Sequence, residues 1–292
     1  MERTSTGNFE KISITAKFVA YWRQYTDIPF AKDVAEYINA NNSIETFLKD
    51  NQISRNEIRW YAPLFEIRYK SIEECIRKEK ATQILELASG LSCRGITMTQ
   101  HRDITYVETD LEELTNEKRN LISILSKKYP LTPHGKFHLT SANALDSHEL
   151  QSTIQYFRKE RPLAIVTEGL LPYLTTREIT IVAKNIREIL VKFGGIWITP
   201  DFSLQENYGQ IPAQRARVRD VIATLTGRRL HSSAFENEEH LASFFEELEF
   251  HTEKLYQTDL VSSVVSIDTL KLPHDILEKL KHRLRLWVLT PV

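Results

Sequence analysis

Four short stretches of this sequence combine carboxylates with glycine or other small residues, each at the end of an apolar run. They are Glu86-Leu87-Ala88-Ser89-Gly90-Leu91-Ser92-Cys93-Arg94-Gly95, the pair Glu108 and Asp110, Ser141-Ala142-Asn143-Ala144-Leu145-Asp146, and Glu168-Gly169-Leu170-Leu171-Pro172-Tyr173. Small residues let a ligand lie against bare backbone. An acid at the end of a second strand accepts hydrogen bonds from the two hydroxyls of a ribose. These features suit either a dinucleotide or S-adenosylmethionine. The first loop is not G-x-G-x-x-G, because Ala88 and Cys93 stand at two of the three glycine positions. A pyrophosphate needs close backbone approach at a helix N-terminus. S-adenosylmethionine carries no phosphate and tolerates a looser loop, so the loop favours it.

Something must bring the four stretches together, and the pattern of the chain supplies it. Gln83–Leu87, Ile104–Glu108, Lys136–Thr140, Leu163–Glu168 and Ile196–Pro200 read as buried strands. Helical patterns lie between them at Glu112–Lys128, roughly 147–159, and Thr176–Phe193, the last stopped by Gly194-Gly195. Strands alternating with helices imply parallel βαβ units. The expected fold is α/β, a Rossmann-like doubly wound sheet, and its ligands sit outside the carboxyl ends of the strands. Beyond Asp201, Ala213–Leu225 and Asn237–Leu248 read as helices. Phe250–Leu255 and Val261–Ile267 read as strands joined by a short turn, which makes them an antiparallel hairpin. Residues 1–80 carry helical patterns at Ile14–Tyr25, Ala31–Ile38 and Glu57–Glu79, with few glycines. They are expected to form a helical cap or substrate lid on a core of residues 81–292.

Composition narrows the classes of partner. The chain has 292 residues, 41% hydrophobic and 26% charged, with a net charge of −1. Nucleic acid and anionic membranes are bound through an excess of Lys and Arg, which this balance does not provide. No apolar run approaches the roughly 20 residues that span a bilayer. Cys75 and Cys93 are too few for a disulfide framework or a four-ligand zinc site. With a polar N-terminal stretch, they point to a reducing cytoplasm. Oligomeric state is not encoded in any of these features.

The motifs also resemble a known family. Gly90-Leu91-Ser92-Cys93-Arg94 is similar to the G-x-D-[ST]-R segment of the leucine carboxyl methyltransferase family, which includes O-methyltransferases of polyketide biosynthesis. Glu108-Thr109-Asp110-Leu111, with Lys118 and Arg119, is similar to its E-x-D-x-P segment and the helix that follows. Glu168-Gly169-Leu170-Leu171-Pro172-Tyr173-Leu174 resembles its E-G-[LV]-L-x-Y-L motif, the most specific of the three. Thr15-Ala16, Arg68 to Glu74, and Ser243-Phe244-Phe245 to Phe250 have counterparts as well, so the likeness spans most of the chain. Ser92 and Asn143 depart from it, standing where the family usually or often has Asp.

The resemblance implies an S-adenosylmethionine-dependent O-methyltransferase. Its acceptor would be a carboxylate or hydroxyl, on a small molecule or on a protein C-terminus. It also implies roles at a first loop running from Glu86 through Ala88 to Gly90. Asp110 would bind the ribose, and Asn143 with Ala144 the adenine edge. Gly90 would lie under the methionine part. Arg68, with Lys17 as a second candidate, would pair with the methionine carboxylate. Glu168 would meet the methionine ammonium, and Tyr173 would face the acceptor. Plainer roles compete at the same positions: a helix cap for Asp110, a surface ion pair for Arg68, a core aromatic for Tyr173. Two other functions compete too. A non-catalytic S-adenosylmethionine-binding protein working through a partner is one. A nicotinamide-dependent dehydrogenase, which the first loop and the terminal hairpin disfavour, is the other.

Overall fold

The computed structural model describes residues 7–205, 220, 235–281 and 283–292, with side chains from residue 14 onward. Seven strands form one sheet. β1 is Gln83–Leu87, β2 Thr105–Asp110, β3 Lys136–Ser141, β4 Leu163–Thr167, β5 Gly195–Thr199, β6 Phe250–Tyr256 and β7 Arg285–Pro291. Their order is β3-β2-β1-β4-β5-β7-β6. The first five are parallel, while β7 runs antiparallel to both β5 and β6.

Every residue of β1 and β4 is buried, as strands covered on both faces require. Their side chains alternate between two cores. Ile84, Ala164 and Val166 meet Ile72, Cys75, Ile76 and Met98 on one face. Leu85, Leu87 and Ile165 meet Ile179, Val182, Ile186 and Leu190 on the other. Five helices precede the sheet: α1 (Gly7–Arg23), α2 (Ala31–Tyr37), α3 (Ala40–Asp50), α4 (Arg55–Ile58) and α5 (Tyr61–Lys78). α1 to α3 share a cluster built on Phe18, Tyr21, Trp22, Ile44 and Phe47. That cluster also takes in Leu91 and Cys93 of the loop after β1, and Leu121 and Leu125 of α7 (Glu112–Lys128). The helical N-terminal region therefore rests directly on the first loop. α5 also lends Ile72, Cys75 and Ile76 to the sheet.

α6 (Arg94–His101) follows β1, and α8 (Ser147–Thr153) follows β3. α9 (Thr176–Phe193) starts at a capping box. The Thr175 hydroxyl accepts from the Glu178 amide at 3.3 Å, and the Glu178 carboxylate accepts from the Thr175 amide at 2.7 Å. α10 (Glu238–Glu246) carries Phe245, which stands edge-on to Trp197 of β5 at 5.7 Å.

The antiparallel end of the sheet is present, but its second strand is not 261–267. Val265–Thr269 is a helix, and the partner of β6 is Arg285–Pro291. The reason is local. The buried Glu66 carboxylate accepts from the amides of Val265 and Ser266 at 2.8 and 2.9 Å, which starts a helix where the alternating Val and Ser pattern suggested a strand. α3 falls within the 80 residues expected to be helical, α6 was not expected, and the helix that begins at Ser147 ends at Thr153 and not near 159. The helix expected at Ala213–Leu225 lies outside the described residues, apart from position 220. No helix among the described residues is long and apolar enough to cross a membrane.

Candidate functional site

Parallel pairing places the ends of β1, β2, β3 and β4 along one edge of the sheet. Glu86 stands beside Glu108, Leu87 beside Thr167, and Asp110 beside Ser141. The loop after β1 turns sharply there. Ala88 has φ +52° and Gly90 φ +55°, both left-handed. The Asp110 carboxylate, almost fully buried, accepts from the Gly90 amide at 2.8 Å with one oxygen. Its other oxygen accepts from the Leu111 amide at 2.8 Å. Burial pushes this carboxyl above its ordinary range, and the two amide donors work against that push. Asp110 is thus both the tie that holds the loop and, through the second lone pair on each oxygen, an acceptor for further donors.

The Ala88 conformation has a measurable cost, because a β-carbon crowds the backbone at positive φ. Ala88→Gly should raise stability by about 1 kcal/mol, the amount by which alanine at such a position typically falls short of glycine. Denaturant unfolding of the two proteins checks this. Equal midpoints would mean that the turn is not strained.

Glu168, directly after β4, is the centre of a buried charge network. Arg23 of α1 and Arg68 of α5 both donate to its Oε1, the latter at 2.9 Å. Arg94 at the start of α6 donates to its Oε2 at 2.5 Å and also pairs with Glu86. The second oxygen of Glu86 accepts from the Tyr106 hydroxyl at 2.6 Å. The Tyr69 ring lies under two of the cations, 4.4 Å from the Arg94 guanidinium and 5.2 Å from that of Arg23. Burial alone would raise the Glu168 carboxyl. The guanidiniums of Arg23, Arg94 and Arg68 outweigh it and hold Glu168 well below the usual carboxylate range. Burial likewise disfavours the charge on Arg94, but Glu86 and Glu168 more than restore it. Arg23 goes the other way, lowered by burial and by the like charges of Arg68 and Arg94 against the pull of Glu168. Two more carboxylates lie within reach of these cations. Burial raises both Glu73 and Asp201, while Arg94 draws the first down and Arg68 the second. Arg23 and Arg68 are the members still partly open to solvent, at 12% and 25% side-chain exposure.

The loop after β4 is fixed from below. Asp201, beyond β5, accepts from three consecutive amides, those of Gly169, Leu170 and Leu171, at 2.8, 2.9 and 3.1 Å. This positions Tyr173, whose hydroxyl bonds to the Thr15 side chain of α1. Burial raises the Tyr173 phenol above its ordinary value, while Thr15 and Arg68 pull it down. A methyl group placed on Gly90 or on Gly169 would meet no atom within 4 Å, so both glycines face open space.

The sequence profile of the leucine carboxyl methyltransferase family matches residues 18–187, more than half of the chain. The chain belongs to this family. Its cofactor is S-adenosylmethionine, and it is an S-adenosylmethionine-dependent methyltransferase. No curated protein matches the sequence. Among solved structures, a DUF574-family protein from Streptomyces avermitilis is similar in fold, with a TM-score of 0.56 at 10% identity over 95% of this chain and 96% of that one. An O-methyltransferase family protein from Burkholderia thailandensis gives a TM-score of 0.46 at 14% identity, covering 88% and 70%. LepI, solved with S-adenosylhomocysteine and a substrate analogue, gives 0.42 at 8% identity, and the chain spans 43% of its length.

The residues of this methyltransferase fit the cofactor of its family. A zwitterionic amino-acid end matches a cluster that sets guanidiniums beside a carboxylate, two of them partly open to solvent. Spare lone pairs on Asp110 match ribose hydroxyls, and the open face of Gly90 leaves room beside them. The structure brings Arg68, Glu86, Ala88, Gly90, Asp110 and Glu168 to one edge of the sheet. Glu86 enters as the counter-ion of Arg94 and the acceptor of Tyr106, with both oxygens engaged. Asn143 lies at the neighbouring strand end. Its side-chain oxygen accepts from the Leu145 amide at 3.0 Å, its own amide donates to Glu149 at 2.7 Å, and Ala144 beside it is buried in the core. Lys17 is half-buried on α1 and makes no ion pair with a described residue. Reading the sequence missed Arg23 and Asp201, and it gave Arg94 no role beyond its place in a motif. Arg23 lies in a helix with no motif around it, 145 positions from its partner. The signal for Arg94 was its place in the Gly90–Arg94 motif; its full burial and its two carboxylate partners belong to the packed chain.

Proposed function

We propose that this protein is an O-methyltransferase whose acceptor is a carboxylate or hydroxyl of a small molecule or of a protein C-terminus. Residues 1–80 form the cap that selects that acceptor. The observation that carries the reading is the guanidinium cluster at Glu168, with Arg23 and Arg68 still partly open to solvent. Bound S-adenosylmethionine supplies a methyl group made electrophilic by its sulfonium. In this reading Arg68, with Arg23 beside it and Lys17 further along α1, receives the methionine carboxylate. Glu168 keeps its negative charge for the ammonium, Asp110 takes the ribose, and Asn143 and Ala144 border the adenine. Gly90 leaves room for the chain between them.

The protein's part in the reaction is to position two reactants and to exclude water. The cap does the second through its apolar contact with the β1 loop. A carboxylate acceptor is ionised at neutral pH and needs no base, whereas an alcohol needs one. Tyr173, placed by the grip of Asp201 on the β4 loop, is the side chain that faces the acceptor in this reading. Charge neutralisation between a carboxylate and a sulfonium is also helped by a dry pocket.

The test is turnover of methyl-labelled S-adenosylmethionine with a panel of carboxylic acids, phenols and alcohols. An ester product releases its label as methanol in mild base, and an ether does not. For a carboxylate the rate should be flat between about pH 6 and 9, above the acceptor's own titration. A stable ether formed at a rate rising with pH would assign a hydroxyl acceptor. Binding of S-adenosylhomocysteine with no turnover on any acceptor would favour the non-catalytic alternative, for which the departures Ser92 and Asn143 are the motive.

A further inference from the structure

A second buried ion pair adjoins the arginine cluster, its carboxylate on the strand beside Glu86. Lys118 of α7 and Glu108 of β2 stand 2.6 Å apart, with side chains 1% and 0% exposed. A pair so deeply buried contributes little to stability beyond what well-packed apolar residues would give. Its remaining contacts point elsewhere. The Lys118 ammonium donates to the Ser89 hydroxyl at 3.0 Å. The other oxygen of Glu108 accepts from the Gly95 amide at 3.0 Å. Ser89 lies in the loop after β1, next to the Gly90 that Asp110 holds, and Gly95 lies just beyond the loop in the first turn of α6. Gly95 is open to this approach because it has no side chain; a methyl group there would stand 2.8 Å from the Glu108 oxygen. The ion pair therefore ties the loop and the start of α6 to β2 and α7. It does so alongside two bonds that β2 already makes there: its Asp110 carboxylate accepts from the Gly90 amide, and its Thr109 carbonyl from the Ser89 amide at 2.9 Å.

We infer that Lys118 and Glu108 are positioning residues for the cofactor, holding the β1 loop in its binding shape through Ser89 and Gly95 without touching the ligand. The inference rests on S-adenosylmethionine lying over this loop. A loop fixed in advance loses less freedom on binding, and the affinity gained that way disappears when the tethers go. The role separates affinity from stability. Lys118→Met alone strands a buried carboxylate and should lower both. Adding Glu108→Gln removes the stranded charge, so the double variant should recover most of the melting temperature. Its loop is still untied at the Ser89 hydroxyl, so its affinity should stay low.

The experiment measures melting temperature and the dissociation constant for S-adenosylhomocysteine by calorimetry, on the full chain. The double variant is expected to melt within a few degrees of the unaltered protein and to bind about tenfold more weakly or worse. Ser89→Ala, which removes one hydroxyl contact and no charge, is expected to keep its melting temperature and weaken binding about threefold or more. Unaltered affinity in a double variant that has regained its melting temperature would overturn the inference. If the double variant does not fold, Ser89→Ala decides, and full affinity there overturns it as well. Failure of the unaltered protein to bind S-adenosylhomocysteine would overturn the cofactor's placement and this inference with it.

Discussion

Arg94→Met should cost about 3–5 kcal/mol at neutral pH, the usual consequence of removing one partner from a buried ionic cluster. Arg94 is the residue that two carboxylates share, and neither Arg23 nor Arg68 reaches Glu86. Methionine fills much of the volume but leaves Glu86 with only the Tyr106 hydroxyl. The pH dependence follows from the direction of the Glu168 shift. Glu168 is held below its unfolded value of roughly 4.3, so its contribution is full above that value and is lost as pH falls through the folded value. Without Arg94 the folded carboxyl titrates higher, and mild acid relieves the variant by protonating it. The stability gap should therefore be widest near pH 7 and narrow as pH falls toward about 4. Denaturant unfolding at several pH values measures it. A gap below about 1 kcal/mol that does not change with pH would show Arg94 to be ordinary packing.

Arg68→Ala should weaken S-adenosylmethionine about tenfold to a hundredfold, as expected for one hydrogen-bonded charge lost from a binding site. Adenosine, which has no carboxylate, should bind the variant as it binds the unaltered protein. Folding should survive, because Arg23 and Arg94 still hold Glu168. Arg68→Lys should recover only part of the loss, since an ammonium cannot reproduce the planar fork of a guanidinium. Calorimetry with both ligands settles the matter. Equal weakening for adenosine would make Arg68 a support for the fold, and no weakening for either would leave the carboxylate to Arg23 or Lys17.

The centre of the sheet was legible because β1 and β4 are buried on both faces and lead into loops with small or acidic residues. Leu163–Thr167 is apolar but for its last residue and Gln83–Leu87 carries three buried aliphatics, and the loops after them carry Gly90 and Gly169. Residues 261–267 were misread because a helix start capped by a carboxylate almost two hundred positions away leaves no trace in its own pattern. β7 was missed in turn, its Leu-Trp-Val-Leu run having no turn signal to tie it to β6. In the site, the residues at the ends of β1, β2 and β4 were found, since topology alone sends them to one edge. Arg23 was not, nor was Asp201, although it stands just beyond β5. Each works through a partner that only the packed chain supplies: Glu168 for Arg23, and three backbone amides for Asp201.

β7 also bears on how the chain reaches its fold. It is the last of the seven strands to be synthesised, yet it sits inside the sheet, between β5 and β6. Until it emerges, β5 presents an open edge and β6 has no strand to pair with at all. The five parallel strands can assemble in order as they are made, but β6 can join them only through a neighbour that follows it in the chain. Completion of the sheet is therefore a single late event of long sequence separation, the kind of closure that is slow because loop entropy is spent before contacts repay it. During that interval the exposed flank of β5 is the surface on which a chaperone, or another unfinished chain, would act.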